Sequence, residues 1–521
     1  MFIVKIIYTM RRFDKLIKQV SFDDKATCLR ETKRTIDTDS TFNKNDAAVA
    51  AIVIDSNEDL KKHIYPRIEY FHKHRSSKLH SIPSSNIFKD DISLFESKSS
   101  NIFDTKNKQA TYNTIEYVLD QFHKCLFIQI LNNKIHTFVV INRYDPEYSK
   151  SLAKTVKESL DSNYKDLNEF VNHMQRTRYK NFKIAKLQED SIYFTDCALH
   201  LWSMGDTHTP VYDRIYGYFY HLLEELLQVK KINDCEFIYN SRDLNVLLKD
   251  GESSPHYNLL GNFTTKLSKQ YKPFIPILNF NRHKRFADLP VPTNDDWEII
   301  TNKMFIGECR DLYINVRDKI NTDYDSKIPT AIFRGGATGC GTTIKNNQRL
   351  KAAYLTSKYY KNPKYGINNS FDSYQYLDAR LVSFKIKPKK HYSDKYIRVV
   401  DPDKLPIRLS KKMSIGEISN YKYILSIEGN IAQFRLSLEL SYNSVILLVK
   451  SDQYIWYQPL LKPWIHYVPI KSDLSDLMDK IHWCKTHDDK CKTIARNAFD
   501  FYKKYMNRRS VYDYMECVLN V

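Results

Sequence analysis

From about residue 165 to its end, the chain alternates short apolar runs with helical stretches. No other feature constrains its fold as strongly. The apolar runs predict strands at 235–241, 276–280, 330–333, 381–386, 421–427, 444–449 and 464–470. Helical stretches separate many of them. One is predicted over 472–485, with Ser472 as N-cap and Leu474, Leu477, Met478 and Ile481 on one face. Repeated βα units imply an α/β protein with mostly parallel sheets, whose chemistry lies at the carboxyl ends of the strands. Two such sheets, one before and one after roughly residue 325, predict a cleft between them. The segments are then 1–165, 166–325 and 326–521.

The first segment reads as a separate N-terminal α/β module of unknown role. It holds a predicted buried strand at 47–55, a helix at 57–74 and a helix at 111–124. Residues 76–108 are rich in Ser, Asn and Lys, which predicts a long exposed loop. The runs 126–131 and 135–141 flank Asn132-Asn133-Lys134 and predict a β-hairpin.

No apolar run approaches the roughly 20 residues that a membrane-spanning helix needs. The apolar start, Met1 to Tyr8, is interrupted by Lys5 and followed by Arg11 and Arg12. A secretory signal has the opposite order, with charge before the apolar stretch. The nine cysteines are scattered, odd in number and without a CxxC pair. That pattern argues against a disulfide framework or a zinc site and for reduced thiols in a cytosol-like compartment. The net charge of +19 raises the question of nucleic acid. Its Lys and Arg are spread along the chain, so a solvated surface is the expectation and a nucleic-acid partner is not. The 37 Tyr, with many Asn, Lys and Ile, fit an AT-rich genome such as that of a large DNA virus or a protist.

Three loops after predicted strands stand out. Phe333 to Gly341 (FRGGATGCG) carries four of the chain's twelve glycines. Such a loop lets backbone N–H groups approach phosphate oxygens, although it is neither a Walker A sequence nor GxGxxG. Ser426 to Arg435 (SIEGNIAQFR) runs from a strand through Gly429-Asn430 into a predicted helix. Helix N–H groups would then face the cleft, and Arg435 would reach a pyrophosphate. Taken alone, an arginine such as Arg435 is more often a surface ion-pair residue. Asn240-Ser241-Arg242-Asp243 closes the 235–241 strand and puts an acid where a general base is useful, or simply in a turn.

The order and spacing of these elements carry a resemblance. Tyr421-Lys422-Tyr423, Gly429 with Phe434-Arg435, Pro463 to Pro469 (PWIHYVP) and Asp473-Leu474 resemble the CAP10-like glycosyltransferases, family 90. Upstream, Phe333 to Gly336 followed by Arg349 is similar to the family's FRG…R element, and Asp378-Ala379 to its Asp-Ala. Asp288 to Pro292 with Trp297 looks like a further, weaker element. The resemblance is collinear over roughly residues 165–515.

It implies the GT-B fold, two Rossmann-like domains facing a cleft, with 166–325 as the acceptor side and 326–521 as the nucleotide-sugar side. It implies an inverting glycosyltransferase that moves glucose or xylose from a UDP-sugar to a hydroxyl of a glycan or protein. No metal and no cofactor beyond the donor are expected. Asp243 matches the family's catalytic base, and Arg349 and Arg435 match the arginines that hold the diphosphate. Gly335, Gly336, Asp378, Ala379, Gln433 and Phe434 fall at positions that line the nucleotide pocket.

Asn315-Val316-Arg317-Asp318 also copies the base motif, but it lies 15 residues before Phe333, inside a predicted helix (310–320). Asp243 lies 90 residues before it, which suits the family spacing better. Asp323-Tyr324-Asp325 is a DxD string in a polar connector, and Asp401-Pro402-Asp403 reads as a turn. His200, His208, His221 and His256 have no metal-ligand spacing, and His466 reads as structural. Many relatives carry a secretory signal and disulfides. Neither is legible here, so an EGF-like acceptor is not expected, and the location expected is the cytoplasm, or a virus factory or virion if the genome is viral. The rival readings are a catalytically inactive glycosyltransferase-like binding protein and a basic nucleic-acid-binding protein.

Overall fold

The computed structural model describes residues 50–54, 57–89, 102–122, 124–143, 183–188, 191–195, 210–240, 245–247, 249, 272–301, 319–339, 341–357, 359–384, 400, 402–429 and 431–520. Two sheets organise them. The first contains β1 (Ala50–Ile54), β2 (Lys124–Leu131), β3 (Lys134–Arg143), β4 (Cys235–Asn240), β5 (Ile277–Asn279) and β6 (Leu289–Pro290), in the spatial order β1-β3-β2-β4-β5-β6. Only β2 runs against the other five. The second contains β7 (Ile328–Gly336), β8 (Leu377–Ser383), β9 (Tyr421–Ser426), β10 (Val445–Val449) and β11 (Val468–Ile470). Its order is β8-β7-β9-β10-β11, all parallel. The helices that frame the sheets are α1 (Tyr65–His74), α2 (Lys108–Phe122), α3 (Pro210–Val229), α4 (Asn294–Thr301), α5 (Gln348–Tyr354), α6 (Leu436–Leu440), α7 (Leu477–Thr486), α8 (Asp488–Tyr505) and α9 (Arg508–Leu519).

The hairpin predicted around Asn132-Asn133 forms, because both asparagines take left-handed φ values of 51° and 57°. A two-residue type I′ turn needs that conformation, and asparagine tolerates it. Asn133 then ties the turn to the end of α3: its Nδ2 donates to the Leu227 and Lys230 carbonyls (2.8 and 3.1 Å) and its Oδ1 accepts from Ile232 N (2.8 Å). The hairpin is no module of its own, however. β2 pairs with β4 from Leu126↔Tyr239 to Ile130↔Cys235, so the first sheet runs across the predicted boundary near residue 165. Paired strand edges satisfy backbone groups that a separate module would leave to solvent.

Other boundaries shift for local reasons. The helix predicted over 57–74 divides at Ile64, before Pro66 at the start of α1; proline has no N–H to continue a helix and suits its first turn. The strand expected at 381–386 is β8, four residues earlier at its start, because Leu377, Ala379 and Leu381 alternate inward behind Asp378 and Arg380. Ser472 does not cap α7. The Asp476 and Asp473 carboxylates accept from Lys471 N and Ser475 N (2.9 and 3.0 Å), which holds a turn before the helix begins at Leu477.

The second sheet is buried on both faces, as a parallel sheet requires. Ala331, Phe333, Tyr423, Leu425 and Leu447 face one core, with Ile481 of α7 and Ile494 of α8. The alternate residues Ile332, Ile424, Ile446 and Leu448 join Tyr239, Leu278, Leu289 and Trp297 of the first sheet's side in a shared core. The chain's last helix returns to the first half. Lys230 reaches Asp513 and Glu516 of α9 (2.5 and 2.7 Å), both carboxylates being almost wholly buried. Burial works against the Lys230 ammonium, but the two carboxylates outweigh it and raise its pKa. Lys230→Met would strand two buried negative charges side by side, so it is expected to cost about 2–4 kcal/mol. Urea denaturation is the check, and an unchanged midpoint would show that α9 docks by its apolar face alone.

Candidate functional site

In the second sheet the strands stand in the order second, first, third, fourth, fifth, so the chain reverses direction across the sheet between β7 and β9. Open α/β sheets bind ligands outside the carboxyl ends of the strands at such a switch point. Here those ends are Arg334 to Thr338, where β7 closes and its loop begins, and Ile427 to Gly429 after β9, within the two segments singled out by composition.

Arg349, in the first turn of α5, bridges them. Asn347 caps that helix, accepting from Arg349 N and Leu350 N. The Arg349 guanidinium then donates Nε to the Glu428 carbonyl (2.7 Å), Nη2 to the Ile427 carbonyl (3.1 Å), and Nη1 to the Gly336 carbonyl (3.1 Å) and Thr338 Oγ1 (2.6 Å). It has no carboxylate within ion-pairing distance among the described residues. Burial first, and then the neighbouring Arg435, pull its pKa down to about 9, which leaves it charged at neutral pH. The glycines of the first loop make room for this staple. A Cβ on Gly335 would lie 2.8 Å from the Phe333 ring and 3.4 Å from Arg349 Nη1, and one on Gly339 (φ +98°) would press on the Gly429 carbonyl at 3.1 Å.

Beside Arg349 lies a cavity of about 250 Å³ that Arg435, Gln433, Phe434, Glu439 and Asp295 also line. Arg435 donates Nη1 to the Arg334 carbonyl (2.9 Å), and its Nε stands 4.0 Å from Glu439 Oε1. Glu439 is buried and accepts from Ser426 Oγ (2.6 Å). Gln433 is only 6% exposed, and its Nε2 has no hydrogen-bond partner among the described residues. The helix predicted to open at Gly429-Asn430 is shorter than expected. It is the five-residue α6, with Arg435 at its N-cap position, so the cavity wall is loop rather than helix end.

Arg349, Gln433, Phe434 and Arg435 therefore meet in one cavity. Gly335 and Gly336 adjoin it through Arg349. Asp378 and Ala379 do not line it. Asp378 is held between Arg334 Nη2 (2.5 Å) and Arg380 Nε (2.7 Å), and Ala379 is buried in the core, its N–H donated to Thr356 Oγ1. Asp243 lies outside the described residues. The chain on both sides of it is anchored: β4 ends at Asn240, and the buried Asp288 carboxylate accepts from Val246 N and Leu247 N (2.9 and 2.8 Å). Burial pushes the Asp288 pKa up to about 6 against those bonds. The carboxyl ends of the first sheet approach the cavity through edge-to-face rings, Tyr239 against Phe280 (5.8 Å) and Phe280 against Phe434 (5.9 Å).

Sequence reasoning missed Asp295 and Glu439. Asp295 stands two residues before Trp297 in the weaker family element, and nothing in its local sequence marks it as facing a site on the other sheet. The decoys are accounted for where they are described. Asp325 pairs with Lys492 (2.5 Å) on the surface, and Asp323 Oδ1 accepts from Asp325 N. His466 accepts from Lys462 N and is packed near Phe501; burial lowers its pKa. His221 accepts from the Trp297 indole. The described residues contain no group of three or more His, Cys, Asp or Glu placed to hold a metal ion, and no helix among them is long and apolar enough to cross a membrane. Asp318 and Asp401, with His200, His208 and His256, lie outside the described residues.

Residues 221–521, more than half of the chain, match the family described as Glycosyl transferase family 90. Uncharacterized protein 179R of Invertebrate iridescent virus 6 is 33% identical over 460 residues, which cover 79% of this chain and 37% of that protein. Uncharacterized protein 027R of Frog virus 3 (isolate Goorha) is 27% identical over 414 residues, 74% of this chain and 39% of its own. Protein O-glucosyltransferase 1 of Rattus norvegicus is 24% identical over 297 residues, 56% of this chain and 62% of its own. The chain spans well under half the length of the viral relatives it matches.

Proposed function

Since the chain belongs to glycosyl transferase family 90, we propose that it transfers a neutral sugar, glucose or xylose, from a UDP-sugar to a hydroxyl of a glycan or protein, with inversion and without a metal. On this reading the protein is a GT-B enzyme in which the half after residue 325 holds the donor and the half before it presents the acceptor and the base. The acceptor oxygen attacks the anomeric carbon from the face opposite the diphosphate, Asp243 takes the hydroxyl proton, and the bond from carbon to the diphosphate oxygen breaks to release UDP. A cytosol-like compartment fits the unbridged thiols of Cys235, Cys484 and Cys491.

The observation that carries the proposal is the pair of arginines at the switch point. Arg349 is a half-buried cation without a carboxylate in ion-pairing distance among the described residues, and Arg435 stands close enough to oppose its charge. Arg435 has Glu439 4.0 Å away, so the two cations beside one cavity are only partly balanced; an anion relieves the remainder, and the charge that grows on a leaving diphosphate is the kind they stabilise. Their roles differ. A guanidinium has five N–H donors, and Arg349 directs four hydrogen bonds into the loops around it, whereas Arg435 directs one to a carbonyl. Arg435 is therefore the direct phosphate ligand and Arg349 the staple that shapes the pocket and adds charge.

Arg435→Ala is expected to weaken UDP binding by about 10- to 100-fold, the loss of a charge-assisted contact of about 1.5–3 kcal/mol, with little change in thermal midpoint. Titration calorimetry measures it, and an unchanged affinity rejects the role. UDP and one UDP-sugar are expected to raise the melting temperature more than GDP or CMP, equally with and without Mn²⁺. Nucleotide binding without any sugar transfer would identify an inactive relative.

A further inference from the structure

The cavity contains a group that the diphosphate does not explain. Asp295 comes from the first sheet's side of the molecule and faces Arg349, Gln433 and Arg435 of the other. Its place is held firmly. Thr293 and Asp296 cap the start of α4 reciprocally, Asp296 N donating to Thr293 Oγ1 and Thr293 N to Asp296 Oδ2, both at 3.1 Å. The Trp456 indole, from the chain just after β10, donates to the same Asp296 oxygen at 3.0 Å and locks α4 to the opposite half. Asn294 Nδ2 donates to Asp295 Oδ1 at 3.0 Å, and a carboxylate accepts several hydrogen bonds at once.

Donor and acceptor chemistry then restricts the ligand. Diphosphate oxygens only accept, so they suit the two arginines and the unpartnered Gln433 Nε2, but they oppose Asp295. A sugar hydroxyl both donates and accepts, and it satisfies Asp295 and Gln433 together. Glu439, held by Ser426 and 4.0 Å from Arg435, is a second carboxylate lining the same cavity. Resting on the glycosyltransferase reading above, we propose that Asp295 is a specificity-determining residue: it accepts hydrogen bonds from ring hydroxyls of the donor's sugar and thereby selects a neutral sugar over one that carries a carboxylate.

The test compares the affinities of UDP, UDP-glucose, UDP-xylose and UDP-glucuronate for the full chain and for Asp295→Asn, which keeps the side chain's size. The unsubstituted protein is expected to bind its better neutral donor at least about 10-fold more tightly than UDP-glucuronate, since like charges in a shielded site repel strongly. Asp295→Asn is expected to shrink that preference to about 3-fold or less and to bind UDP itself no more weakly than the unsubstituted protein, which also reports that the variant is folded. Asp295→Ser serves as a second variant with the same expectation. An unchanged preference in the variants overturns the inference, and so does a loss of UDP affinity as large as that of the UDP-sugar. If the unsubstituted protein binds no nucleotide at all, the glycosyltransferase reading falls and takes this inference with it. If UDP binds through Arg435 but the preference does not respond to Asp295, only the inference falls.

Discussion

Asp243→Asn is expected to lower sugar transfer by about 10²–10⁴-fold, the range a positioned general base contributes, while UDP affinity stays within about 2-fold of its original value. Asparagine has nearly the size of aspartate and keeps a carbonyl acceptor, but it takes no proton from the acceptor hydroxyl at neutral pH. Asp288 holds the chain at Val246 and Leu247 through its own carboxylate, so those anchors remain in the variant. Release of UDP in the presence of donor and acceptor measures the rate, and calorimetry measures binding. Normal transfer by the variant would move the base elsewhere, with Asp295 in the cavity and Asp318 in the second copy of the motif as the next residues to replace.

Arg349→Ala is expected to damage both stability and binding. It strands the carbonyls of Gly336, Ile427 and Glu428 at the junction of two loops, at roughly 1 kcal/mol each, about 3 kcal/mol in all. It also removes one of two charges that hold the diphosphate, which is expected to weaken UDP binding by about 100-fold. Arg349→Lys separates the two effects. Lysine keeps the charge but not the planar fork that spans both loops, so the melting temperature is expected to fall nearly as far while UDP affinity recovers part of the loss. Equal UDP affinity in all three proteins would make Arg349 a structural staple and leave the anion site to Arg435 alone.

How far the sequence could be read is set by where each signal resides. The central strands of the second sheet are legible because both faces are buried and the run is nearly unbroken apolar, as in Val445–Val449. The glycine loop and the Phe434-Arg435 element are legible because they sit at strand ends in a fixed order. β8 was misplaced at its start because Asp378 and Arg380 interrupt its apolar pattern, and they do so because they form an ion-paired cluster with Arg334 on the sheet. Asp378 belongs to the nucleotide pocket by resemblance, and its contacts in this structure are with Arg334 and Arg380 of the sheet.

By itself the sequence determined the α/β class, the parallel run of strands after residue 325 and the arginines at its switch point. Local pattern is enough for these, since periodicity, turn residues and motif spacing all lie within short stretches of chain. Only the tertiary structure decided that the N-terminal hairpin completes the first sheet, that Lys230 anchors the final helix, and that Arg349 spends its hydrogen bonds on two loops while Arg435 faces the cavity. Only it brings Asp295 and Gln433, 138 residues apart, to opposite walls of one cavity. Such pairings depend on which strand edges and side chains meet across the cores, and no window of sequence contains both partners.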